Sequence, residues 1–300
     1  MLNQPLRYAL MGVAALGLLS MAAAAQQRSG RRDDQAAAAR EKIIQTAGAK
    51  PTPRTSDGHP DLSGIWLLPG ITSNAFGYGG PPGEVSADGK EHTVYFDGRG
   101  FVGQSPTPNL PQYKTPELNA KRKELDSTAN HSDPARYSCQ ETGVPRTGLP
   151  DKIVQTPKEV IFLYQQTFET SPPASSFRVI PIDGRPHRTN VDPSAMGDSI
   201  GHWDGDTLVV DVTKIDESTW FCMKGCFHSD AIHVTERLTR KGDTLTYQAT
   251  VEDPKMLAKP WQSYPVTRVL AGPDASLPPD VPCIDSDKPY IDDSSHTAPL

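Results

Sequence analysis

Apolar and polar residues alternate with a period of two along most of the second half of the chain. In the run from Asp206, Leu208, Val210 and Val212 share one face. In the run from Thr244, Leu245, Tyr247, Ala249 and Val251 face one way and Thr246, Gln248 and Thr250 the other. Side chains of a strand point alternately to its two faces, so each run has one face to bury and one to wet. The stretches KIVQT, EVIFLYQQTFE, FRVIPI, SIGHW, TLVVDV, AIHVTERLT, TLTYQATVE and YPVTRVLA predict about eight strands after Pro150. Pro157-Lys158, Asp183-Gly184-Arg185, Asp204-Gly205-Asp206 and Lys241-Gly242-Asp243 punctuate them. Asp-Gly and Lys-Gly turns between alternating runs are hairpin signals, and short links make neighbours antiparallel. No helix-length segment alternates with the strands. The expected fold is mainly β: an antiparallel up-and-down barrel or strongly curved sheet, with long Gly/Pro-rich loops at one end. Closure removes exposed strand edges, and a barrel of this size holds side chains or one small ligand.

The first half is different. Residues 61–68, DLSGIWLL, read as a short apolar strand. An insert over residues 69–150 follows, in which GYGGPPG and SPTPNLP exclude regular elements and HTVYFDG is a strand. A loop of that length in a compact domain is expected to serve a purpose, such as covering a site. Within the insert, Thr115–Leu125 predicts a helix, with Thr115 as its cap and Pro116 in its first turn. Lys121, Arg122 and Lys123 form its solvated face. Residues 26–60 predict a polar helix or tether ended by KPTPRTSDGHP. The barrel then spans 61–271, and 272–300 is an irregular tail.

Residues 1–25 read as a secretory signal peptide: Arg7 gives a positive start, Tyr8–Met21 is apolar, and Ala23-Ala24-Ala25 suits cleavage. An exported protein, periplasmic or extracellular, is expected, with no membrane span after cleavage. The net charge is −6 without a dense basic patch, which argues against a nucleic-acid partner. An exported setting favours disulfides among the four cysteines. Cys222 with Cys226, and Cys139 with Cys283 pinning the tail, is the expected pairing among the possible three. C-x3-C-x-H, ending at His228, lacks an evident fourth zinc ligand, so no metal is expected. Nothing resembles a nucleotide-binding glycine loop or a linear metal motif, and no cofactor is expected.

The chemistry concentrates in His228–Arg240, HSDAIHVTERLTR. Read as one strand, it places His228, Asp230, Ile232, Val234, Glu236 and Leu238 on a single face. A carboxylate among aliphatics must be paired, protonated or in use. Glu236, His228 and Asp230 are therefore candidate catalytic residues. Tyr247, Tyr164, Trp220 and Arg268 are candidate ligand contacts. The competing reading pairs Glu236 with Arg268, Arg178 or Arg237 and gives it a structural role. His233 and Arg237 lie on the other face. The loop DGRPHR sets Arg185, His187 and Arg188 either in a plain turn or over an acidic ligand at a barrel mouth. Gly197–Gly201 matches G-x-S-x-G around Ser199, but strand, turn and strand follow instead of the helix a nucleophile elbow requires.

Gly64-x-Trp66 on the first strand resembles the G-x-W signature of lipocalins and related calycin barrels. That resemblance implies a calycin-like barrel whose Trp closes one end against a basic residue of the last strand, here Arg268. The run SGIW, CQETGVPR, KIVQTPKEV, FRVIPIDGRPH, GDSIGHWDGDTLVVDVT and HSDAIHVTERLTR also resembles a family of exported bacterial proteins without an assigned activity. The expected function is binding of a small apolar or aromatic molecule inside the barrel. The alternatives are a cofactor-independent isomerase, lyase or cyclase with Glu236 as acid or base, and a structural envelope-associated domain.

Overall fold

The structure, a computed structural model, describes residues 38–69, 83–85, 91–93, 110–127, 132–137, 140–164, 176–222 and 224–277. The expected signal peptide and most of the irregular tail, with Cys139 and Cys283, lie outside them. Helix α1 (residues 38–48) precedes β1 (Gly64–Leu67), and β2 (Gly83–Val85) pairs with β3 (Glu91–Thr93) in a small separate sheet. Helices α2 (Pro116–Leu125) and α3 (Pro134–Tyr137) follow. Next come β4 (Lys152–Gln155), β5 (Glu159–Tyr164), β6 (Ser176–Pro181), β7 (Asp198–Asp204) and β8 (Thr207–Thr213). The last strands are β9 (His233–Lys241), β10 (Thr244–Glu252), β11 (Trp261–Gln262) and β12 (Val266–Leu270). Among the described residues, no helix is long and apolar enough to cross a membrane.

Nine of these strands form a nearly closed antiparallel barrel, in the order β6-β5-β4-β1-β12-β10-β9-β8-β7, with β11 beside β10. That order is the chain order rotated: each strand lies next to its successor, and β12 returns to pair with β1. The eight ladders along this path are all antiparallel. An odd number of strands cannot alternate all the way round, so β6 and β7 run in the same direction. They approach without a backbone ladder between them. Side chains close that seam by close packing, with a Cβ added at Gly201 on β7 sitting 3.0 Å from the Cγ2 atoms of both Ile180 and Ile182, and by the hydrogen bond from Arg178 Nη2 to Ser199 Oγ at 2.8 Å. Any larger residue at Gly201 would have to push the two isoleucine side chains back by a few tenths of an ångström.

The same parity fixes the barrel's two ends. Strands β1, β5, β8 and β10 end, and β4, β6, β9 and β12 begin, at one end, so the long connections leave the barrel there. The other end has the tight turns after β4, β7 and β9; Gly242 of the last turn has a φ of 58°. Residues 47–62 close this tight end. Ala47 O accepts from Asp243 N at 2.9 Å, and Thr52 Oγ1 accepts from Gly242 N at 2.7 Å. His59 stacks on Trp203 at 4.7 Å, and Leu62 and Trp66 are fully buried beneath. The Trp66 indole is buried, and the guanidinium over its ring, at 5.1 Å, is that of Arg240 on β9. Arg268 does not stack there: its Nη1 donates to Asp151 Oδ1 at 2.7 Å and to the Trp66 carbonyl at 3.3 Å.

Helix α2 starts as its sequence predicts, with Thr115 Oγ1 accepting from Leu118 N. Its basic face is not wholly solvated. Arg122 is buried, because its Nη1 donates to the Lys224 carbonyl at 2.6 Å.

Candidate functional site

The interior of the barrel is mostly aliphatic and aromatic, with one polar cluster near the end that carries the long connections. Alternation along β9 turns Val234, Glu236, Leu238 and Arg240 inward and His233, Thr235, Arg237 and Thr239 outward. Glu236 is 0 % exposed. Its Oε2 accepts from Arg178 Nη2 at 2.6 Å, and its Oε1 accepts from the Tyr247 hydroxyl at 2.9 Å. Arg178 comes from β6, on the far side of the seam. Its Nη2 also donates to Ser199 Oγ at 2.8 Å, and its Nη1 donates to the Tyr164 hydroxyl at 3.1 Å. The guanidinium lies 5.7 Å from the Phe162 ring centre. Five residues from β5, β6, β7, β9 and β10 thus meet at one point inside the barrel.

Charge and burial fix the protonation of the phenols and the guanidinium. Burial raises the Tyr247 pKa well above its ordinary value, and Glu236 raises it further. Burial likewise raises that of Tyr164. Both phenols remain neutral and able to donate. Burial opposes the Arg178 charge, but Glu236 outweighs it and the pKa is raised. A guanidinium and a carboxylate at this distance compensate one another, and a buried pair needs that compensation to survive desolvation. Arg178 Nε has no hydrogen-bond partner among the described residues.

Of the expected site residues, Tyr247 and Tyr164 join Glu236. His228 and Asp230 do not hydrogen-bond to it. The strand expected from His228 begins at His233, because residues 228–232 form a turn held by Asp253. That carboxylate accepts from Ser229 N at 2.7 Å and from Ser229 Oγ, and Ile232 N donates to Ser229 O at 3.1 Å. Parity from His228 therefore carries no meaning. His228 is buried between the Ser229 carbonyl, 3.0 Å from Nδ1, and Thr219 Oγ1, 3.1 Å from Nε2. Burial lowers its pKa. Asp230 is at the surface, paired with Lys255. Trp220 is buried in the hydrophobic core, and Arg268 Nη1 donates to Asp151 Oδ1 and to the Pro150 carbonyl, not to the polar cluster. Cys222 and Cys226 form the expected disulfide, with a Cα–Cα distance of 5.1 Å.

Sequence reasoning missed a second cluster, on the outside of the barrel. The chain from β6 to β7, residues 182–197, must return to the opposite end because the two strands are parallel. It runs over the outer face of β7 and β8 instead of covering a mouth. His187 Nδ1 lies 2.8 Å from Asp198 Oδ2, and its Nε2 lies 2.8 Å from Asp211 Oδ1. Asp211 Oδ2 is 2.9 Å from His233 Nε2, and His233 Nδ1 is 3.5 Å from Glu252. Arg188 donates to Asp198 through Nε at 2.5 Å and through its backbone N at 3.0 Å. Arg185 pairs with Asp183 in the turn. The loop is neither a plain turn nor a free acidic-ligand site, because His187 and Arg188 already hold carboxylates of the barrel and Arg185 holds one of the loop itself. Partial burial opposes the His187 charge, but hydrogen bonds to Asp211 and Asp198 outweigh it and raise the pKa. Burial would raise the pKa values of Asp198 and Asp211. Their cationic partners outweigh it, and both are lowered.

Ser199 lies on β7 inside the barrel and strand β8 follows it, so no nucleophile elbow forms. What the fold and site define is a nearly closed up-and-down β-barrel with a charge-compensated polar cluster inside. Comparisons with protein-family models, curated proteins and solved structures give no match to this chain.

Proposed function

We propose that the protein binds a small, mainly apolar or aromatic molecule inside the barrel, outside the cytoplasm. The ligand enters at the end with the long connections, because residues 47–62 plug the other. The observation carrying this reading is the cluster of Arg178, Glu236, Tyr247, Tyr164 and Ser199 in an otherwise apolar interior. Ligand sites commonly combine an apolar lining with a few convergent polar groups. A packed barrel has no need of them, since well-fitting hydrophobic residues serve stability equally well.

A second reading is proton transfer on a bound molecule, and the Tyr247–Glu236 hydrogen bond of 2.9 Å favours it. Against it, both Glu236 oxygens already accept hydrogen bonds. Native mass spectrometry of the exported protein, purified from the host that makes it, tests the proposal. The expected result is a retained mass of a few hundred daltons, the scale of a small-molecule pocket. A bare chain mass, with no thermal stabilisation by any neutral apolar compound, would rule the proposal out. Chemical conversion of the retained molecule on incubation would favour the second reading.

A further inference from the structure

We infer that the molecule bound inside the barrel is electrically neutral and carries a hydrogen-bond-accepting oxygen, as a ketone, quinone or ester does. This inference rests on the binding reading above and adds its chemical class.

Glu236 is the cluster's strong acceptor, and both of its oxygens are engaged, by Arg178 and by Tyr247. The other groups have donors to spare. Arg178 Nε carries a proton and has no partner among the described residues. Tyr164 and Ser199 accept from Arg178, and each hydroxyl still has its own proton to give. All three residues are buried: Arg178 is 4 %, Tyr164 5 % and Ser199 8 % exposed. An unmet donor in such a place loses its solvation without return, so an oxygen that accepts from it is favoured. A ligand that brought only donors would leave these protons unmet.

The charge is decided separately. Arg178 and Glu236 already cancel. A carboxylate ligand would leave one uncompensated negative charge in the interior or would have to displace Glu236 from Arg178. An ammonium ligand would leave a positive one. Burying an unpaired charge is costly, so the site selects a neutral oxygen acceptor. Phe162 beneath the guanidinium, with the aliphatics of β8 and β9, suits an apolar or aromatic body around that oxygen.

Three fluorescent probes with one ring system separate these properties: 6-propionyl-2-(dimethylamino)naphthalene, its 6-carboxylate analogue, and 2-(dimethylamino)naphthalene itself. Each is titrated into the full chain at neutral pH. The ketone is expected to bind at least about tenfold more tightly than either of the others, the scale of one well-made buried hydrogen bond. Its emission should shift to the red of its value in an aprotic apolar solvent, as a carbonyl accepting a hydrogen bond does. Equal affinity for the ketone and the parent amine overturns the inference and leaves the barrel-binding reading intact. Tightest binding of the carboxylate also overturns it. Failure of all three probes, together with a bare native mass, overturns the binding reading itself. Arg178→Lys keeps a positive charge facing Glu236 but removes Nε, and should cut the ketone's advantage to within about threefold. If that variant does not fold, Tyr164→Phe, which removes another of the spare protons, should lower the same ratio.

Discussion

Arg178 and Glu236 stand 58 residues apart in the chain and meet at 2.6 Å inside the barrel. Removing one partner strands the other charge in the interior. Glu236→Ala is expected to cost about 3–5 kcal/mol of stability, and Tyr247→Phe about 1 kcal/mol. Urea unfolding measures both, and equal small losses would contradict the account of a desolvated pair. The inward direction of Glu236 was legible in the sequence, because the two-residue period of β9 sets it beside Val234 and Leu238. Its partner was legible only as one of three arginines, Arg268, Arg178 and Arg237, of which the structure selects Arg178. In β6 the pattern misleads: Phe177 and Val179 are 65 % and 43 % exposed, while Arg178 between them is buried. Hydrophobicity alone would have turned that strand over. Tyr247 and Tyr164 were legible as inward residues of β10 and β5. His228 and Asp230 were not separable from Glu236, because nothing local announced that Asp253 would hold residues 228–232 in a turn.

At the scale of elements, the β6–β7 segment is the feature with the clearest consequence. No ladder joins these parallel strands, and the strap of residues 182–197 is fixed to the outer face by His187 between Asp198 and Asp211. The His187 pKa is raised above its ordinary 6.5, so its contribution is complete below that value and is lost as pH rises through the folded pKa. Asp198 and Asp211 have pKa values below their ordinary 3.8, so their contributions are complete above that value and are lost as pH falls through the folded pKa. The strap is therefore best held between the two ordinary values. His187→Ala should lose about 1 kcal/mol in that window, and less above the pH at which native His187 deprotonates. Thermal melts of both proteins across pH would show this, and a loss independent of pH would contradict it. The hairpins were readable from Asp204-Gly205-Asp206 and Lys241-Gly242-Asp243, because turn chemistry is local. The strap was not. It follows from an odd number of strands, a property no segment carries by itself.

For the whole molecule, the ring order, the closure of β12 on β1 and the gathering of long connections at one end give the barrel a plugged base and an elaborated mouth. Closure was legible from the string of short antiparallel links. The plug formed by residues 47–62 was not legible, because it uses backbone groups and single contacts such as His59 on Trp203 that leave no periodic trace. The central claim is that the interior polar cluster serves a ligand and not the fold. The double variant Arg178→Met/Glu236→Leu separates the two, since replacing a buried ion pair by apolar side chains is often neutral or stabilising. The decisive measurement is the affinity of this variant for 6-propionyl-2-(dimethylamino)naphthalene, made on protein that unfolds cooperatively at or above the native melting temperature. The account predicts binding at least about tenfold weaker than to the native protein. Undiminished binding to a folded double variant would contradict it.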